Sequence, residues 1–134
     1  MNEAMHEANI REYAQKAGRV AEGNFIYALV NPSNLAYLGL GGAATFLTEN
    51  YILLFTKEHI LVINVDLKGD FTGAHEVVPR GNIESIACKK GMMQSTLTLK
   101  SGGHEIKFKA PNFIAVAKWQ KPNLERLVQN NWMA

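Results

Sequence analysis

The chain has 134 residues, 47% of them hydrophobic, which is enough for one domain with a sizeable core. Fourteen Lys and Arg against 12 Asp and Glu leave a net charge of +2, short of the basic balance of a dedicated nucleic-acid binder, so no nucleic-acid partner is expected. The single cysteine, Cys88, excludes an internal disulfide, and the opening MNEAMHEANIREY lacks the basic start and apolar run of a secretory signal; a cytoplasmic location is expected.

From Glu3 to about Val20 the spacing of Ile10, Tyr13, Ala14 and Ala17 predicts a helix, assigned to residues 1–21, with Gly18 and Gly23 marking its end. Phe25–Val30 (FIYALV) is a first strand that stops at the turn residues Asn31-Pro32-Ser33-Asn34. The stretch LAYLGLGGAATFL, residues 35–47, fits G-x-G-x-x-A at Gly39 to Ala44. A dinucleotide fingerprint must open a helix inside a parallel βαβ unit, whereas an antiparallel hairpin follows here. The stretch is also too short to span a membrane, which needs roughly 20 apolar residues. It is read as a small-residue connector, helix or loop.

Tyr51–Thr56 (YILLFT) and His59–Val65 (HILVINV) form a hairpin through Lys57-Glu58. Pairing Phe55 with Ile60 puts Leu54 opposite Leu61 and Leu53 opposite Val62, so both faces of the hairpin are apolar and the one turned away from the core needs a cover. Either Tyr51, Leu53 and Phe55 or Ile52 and Leu54 make that outer face. The N-terminal helix is the nearest cover, laid on its own chain or on a neighbour's. Strands near His75–Val78 and over Asn82–Lys90 come next. Gly102-Gly103 then closes a hairpin in which Leu99 meets Ile106 and Leu97 meets Phe108 on a core face, while Lys100 meets Glu105 and Thr98 meets Lys107 on a wet one. Residues 25–110 thus hold about seven strands. Pro111–Trp132 is read as a closing helix with Leu124, Leu127 and Val128 on its apolar stripe.

The hairpin YILLFTKEHILVINV, the segment VVPRGNIESIACKKGMMQSTLTLKSGGHEIKF and the terminal NLERLVQ helix together resemble the bacterial pleckstrin-homology-like domains of the PH/GRAM superfamily. The resemblance implies a mainly β fold in a single domain: a bent barrel of antiparallel strands in two near-orthogonal sheets, capped by the C-terminal helix, here with an extra N-terminal helix. It implies binding and scaffolding rather than catalysis. The phosphoinositide grip of some members requires basic residues near the first strand-to-strand loop, and none stands between Glu22 and Tyr51.

No residue set suggests an enzyme. His6, His59, His75 and His104 fall on separate elements without zinc-ligand spacing, so neither metal nor cofactor is expected. Cys88 reads as a buried structural thiol. The leading expectation is therefore a protein-binding or self-associating module, with Ile10, Tyr13, Tyr51, Leu53 and Phe55 as its contact surface. The alternative is weak binding of anionic lipid or another anionic ligand through Lys89, Lys90, Lys100, Lys107 and Lys109, joined by Arg80, with Met92 and Met93 as an insertion tip.

Overall fold

A computed structural model describes residues 1–40, 46 and 48–133. Seven antiparallel strands form one continuous sheet: β1 (Phe25–Leu29), β2 (Asn50–Phe55), β3 (His59–Val65), β4 (Phe71–Pro79), β5 (Ser85–Lys90), β6 (Gln94–Ser101) and β7 (His104–Pro111). Their order is β4-β3-β2-β1-β7-β6-β5, so among the described residues β4 and β5 are the edge strands and the sheet does not close into a barrel. Two α-helices, α1 (Glu7–Lys16) and α2 (Gln120–Gln129), lie outside it. Among the described residues no helix is long and apolar enough to cross a membrane.

Both hairpin registers follow the side-chain pattern. Phe55 pairs with Ile60, Leu54 with Leu61 and Leu53 with Val62. The Thr56 hydroxyl fixes that turn, donating to the His59 carbonyl (3.0 Å) and accepting from the His59 amide (3.1 Å). Leu99 pairs with Ile106 and Leu97 with Phe108 across Gly102-Gly103, which both take positive φ (57° and 82°), as a tight right-twisted hairpin turn demands.

The sheet separates two cores. On its inner side Tyr51, Leu53, Phe55, Ile60 and Val62 pack with Leu97, Leu99, Ile106 and Phe108 of the other hairpin and with Leu124, Leu127 and Trp132. On its outer side Ile52, Leu54, Leu61 and Ile63 are covered by Ile10 and Ala14 of α1, together with Met5, Phe25 and Ala117. Each of those four side chains, fully buried, stabilises by roughly 1.5–3 kcal/mol relative to an exposed position. The wet side of α1 carries the i,i+4 pairs Glu7–Arg11 (3.3 Å) and Glu12–Lys16 (3.1 Å). Before α1, the amides of Asn2 and Ala4 donate to the carbonyls of Lys68 and Gly69 (2.8 Å each), stitching the segment to the β3–β4 turn.

Strand β1 joins β7 through a single pair, Leu29 with Lys109, after which the two diverge. Helix α2 supplies the missing partner. The fully buried Gln120 accepts from the Tyr27 amide (2.8 Å) and donates to the carbonyls of Tyr27 and Pro111 (2.9 Å each), as a neighbouring strand would. Asn123 likewise donates to the Phe25 carbonyl (3.1 Å).

Several expected boundaries shift. The N-terminal helix stops at Lys16, four residues short of the expected end near Val20, and is preceded by a 3-10 turn over Glu3–Met5. Strand β4 begins at Phe71, earlier than expected, and β5 begins at Ser85 after a 3-10 turn at Arg80–Asn82. The closing helix begins only at Gln120, because Ile114, Ala117 and Trp119 turn back onto the outer core, where the Trp119 indole donates to the Met5 carbonyl (2.8 Å). Pro122 sits in its first turn, where its missing N–H would be unpaired anyway. Of the 35–47 connector, a 3-10 helix over Pro32–Leu38 is capped by Asn31 and Leu35, Leu38, Leu40 and Phe46 are buried; Gly41–Thr45 and Leu47 lie outside the described residues.

Candidate functional site

Among the described residues, strand β5 has β6 on one side only, and no strand pairs with its other edge. Its residues alternate across the sheet: Ile86 and Cys88 are half-buried on the inner side, while Ser85, Ala87 and Lys89 are exposed on the outer. Helix α2 covers the inner side of β1 and stands off from β5, leaving an open groove of about 490 Å³. Cys88, Lys90 and Ser95 line one wall. Lys121, Leu124, Glu125 and Val128, which share one face of the helix, line the other, and Met92 and Phe113 stand at its mouth.

The mouth is rigidly built. Asn112 donates its side-chain amide to the carbonyls of Gly91 (2.9 Å) and Met92 (3.3 Å), and its backbone N–H to Met93 (3.0 Å). Its side-chain oxygen accepts from the Ser95 hydroxyl (2.6 Å). A side chain at Gly91 would place its Cβ 2.4 Å from the Gln94 carbonyl oxygen, so the turn admits glycine alone. Burial raises the Cys88 thiol above its usual pKa, partly offset by the neighbouring Ser95 hydroxyl, so the fold disfavours its thiolate. Among the described residues no three His, Cys, Asp or Glu side chains converge on a common point that could hold a metal ion. The groove offers apolar contact, free backbone hydrogen-bonding groups and a few charges.

The expected contact surface is not at the surface. Tyr51, Leu53 and Phe55 point into the inner core and Ile10 into the outer one, each at most 1% exposed. Tyr13 is held against β4, with its hydroxyl 2.9 Å from His75 Nδ1 and its ring against Phe71. The patch on the hairpin's second face is made by Ile52 and Leu54, and the chain's own α1 covers it.

The expected basic set splits by strand parity. Lys89, Lys100, Lys107 and Lys109 share the outer side of β5–β7 with Thr96 and Thr98, through the pairs Lys89–Thr96, Thr96–Lys109 and Thr98–Lys107. Lys109 donates to the Thr96 hydroxyl (2.9 Å). Lys90 faces the opposite way, into the groove. Arg80 belongs to neither: its guanidinium donates to the Thr56 carbonyl (3.0 and 2.9 Å) and to the Trp132 carbonyl (2.5 Å), locking the chain end onto the β2–β3 turn, and burial lowers its pKa. Met92 and Met93 are exposed, at 98% and 82%.

Cys88 is half-buried at the groove wall rather than sealed in the core. Of the groove's residues, Phe113, Ser95 and Asn112 were not singled out from sequence, whereas Val128 was read as part of the apolar stripe of the closing helix. Val128 lies four residues after Leu124 on the same face of α2 but is half exposed at the groove; Asn112 and Phe113 carry no such periodic cue. Compared with known proteins, the chain matches no family model and no curated protein.

Proposed function

We propose that the chain is a non-enzymatic binding module of the pleckstrin-homology-like kind that takes an extended segment of a partner protein along β5. The observation that carries this reading is the free edge of β5 set beside an open apolar groove against α2. An extended peptide pairs with the edge through its backbone and alternates its side chains, so that every second one enters the groove beside Leu124 and Val128. Lys90 and Lys121 at the walls favour a segment that bears an acidic side chain near its apolar anchors.

The pleckstrin-homology-like reading is supported by strand order, by the single pair that links β1 to β7 and by the closing helix; in it the sheet bends there into two near-orthogonal halves. Pairing of two chains through their β5 edges is the self-association form of the same reading.

Selection from a displayed peptide library on the full chain tests the site. Selected sequences should bind one to one and shift the amide resonances of Ser85–Lys90, and Val128→Glu, an exposed change on α2, should abolish binding while the fold persists. Failure to select any binder, or shifts confined to other strands, would contradict the reading.

A further inference from the structure

Two sulfur atoms belong to the β5–α2 groove, the Cys88 thiol in its wall and the Met92 thioether at its mouth. They differ in what an oxidant can reach. A cysteine reacts with peroxide as its thiolate, and Cys88 is half-buried with its thiolate disfavoured. A thioether needs no ionisation before it reacts. Met92 is 98% exposed, whereas Met5 in the outer core is 7% exposed. Oxidation at this groove is therefore directed to Met92.

Position gives that oxidation a consequence. On a yielding loop an oxidised methionine would turn away into water and leave its surroundings unchanged. The β5–β6 turn does not yield in this way. The Asn112 side chain holds the carbonyls of Gly91 (2.9 Å) and Met92 (3.3 Å), and its backbone N–H holds that of Met93 (3.0 Å). The Met92 backbone is thus fixed where its side chain stands at the groove mouth with Phe113. An unbranched thioether adapts its shape to an apolar side chain seated against Leu124 and Val128. The sulfoxide puts a polar oxygen into that contact. Lys90 and Lys121 line the same groove and carry only donors, so the new oxygen also competes for the cations that favour an acidic side chain on the segment.

Resting on the peptide reading of the groove, we propose that Met92 is an oxidative modification site through which hydrogen peroxide lowers the groove's affinity for its extended segment. The Met92 sulfur attacks one peroxide oxygen and the O–O bond breaks. The proton of the transferred OH passes to the leaving hydroxide, which departs as water, and the sulfur is oxidised by two electrons to the sulfoxide. A dithiol-dependent sulfoxide reductase reverses the change, giving back the thioether and water while the dithiol becomes a disulfide. Met1 and Met93 are comparably exposed, at 89% and 82%, but do not line the groove, so their oxidation is silent for binding.

Treatment of the full chain with hydrogen peroxide, followed by peptide-mapping mass spectrometry and titration with a peptide selected on the untreated chain, tests it. Met92 should convert fully while Met5 and Cys88 remain unmodified, and the amide resonances of Ser95, Asn112 and Val128 should shift. Binding of the peptide should weaken by about tenfold, the effect of one polar oxygen placed in an apolar contact. In Met92→Leu the affinity should be the same before and after peroxide, whatever its starting value, whereas Met93→Leu should keep the loss. Both substitutions are at exposed positions, so folding is preserved and is checked by circular dichroism. Undiminished peptide binding by a chain fully oxidised at Met92, modification of Cys88 ahead of Met92, or a response abolished by Met93→Leu instead would overturn the inference and leave the peptide reading standing. Failure to select any peptide would remove the peptide reading before oxidant is added, and this inference with it.

Discussion

The two halves of the sheet treat their outer sides in opposite ways. Outside β2 and β3 stand Ile52, Leu54, Leu61 and Ile63, and α1 closes over them. Outside β5, β6 and β7 stand Lys89, Thr96, Thr98, Lys100, Lys107 and Lys109 with Glu105, and among the described residues no helix lies over them. The inner sides of both halves meet in one core. A helix is therefore spent where the alternating pattern fails and omitted where it holds: two-sided apolar strands create a need for cover, and one-sided strands meet water directly. The β5 edge and the groove beside it lie on the uncovered half.

Several changes would break or sharpen this contrast, beginning with the most damaging. Deletion of Met1–Arg19 removes the cover and bares the outer core, so the truncated chain should bind hydrophobic dye and aggregate; a soluble, dye-silent product of unchanged melting temperature would refute the covering role. Gln120→Leu should destabilise the chain by about 2–4 kcal/mol in denaturant titration, because it leaves the Tyr27 amide and the carbonyls of Tyr27 and Pro111 without partners at the split between the halves.

Alkali probes the core beneath the covered half. Burial, assisted by Glu49, pushes the Tyr51 hydroxyl up to about 12 from its usual value of 10. A raised folded pKa means that the neutral phenol is favoured in the folded chain. Its contribution is complete below pH 10 and is lost as pH rises towards 12, about 2 kcal/mol in all. Tyr51→Phe should flatten this part of the stability–pH curve. The smallest effect is expected on the bare face, where Lys107→Ala or Thr98→Val should change stability by no more than about 0.5 kcal/mol.

Much of the covered half was legible from sequence. The registers of both hairpins followed from which apolar residues a turn can bring face to face, and two-sided apolarity called for a cover. Which side faced inward was not legible, since Tyr51, Leu53 and Phe55 are as apolar as Ile52 and Leu54 and period 2 distinguishes nothing between them. The placement of contact residues on Tyr51, Leu53 and Phe55 failed for that reason. The closing helix was drawn too long because Phe113 to Trp119 is apolar enough to look helical, while its true partners, Met5 and Phe25, are distant in sequence. Arg80 was grouped with the lysines for its charge, and only the fold brings it to the carbonyls of Thr56 and Trp132. The splitting of Lys89 from Lys90 was legible in principle, because neighbouring strand residues face opposite sides. The groove was not, since it is set by the distance at which α2 stands from β5.

Residue-resolved amide hydrogen exchange on the full chain, free and with a selected peptide, tests most directly whether α1 seals the β2–β3 half and leaves β5 as the open side. The account predicts that β2 and β3 amides exchange slowest in the free chain, that β5 amides not bonded to β6 exchange fast, and that peptide slows those β5 amides selectively. Fast exchange in β2 and β3, or a β5 edge already protected in the free chain and unaffected by peptide, would contradict it.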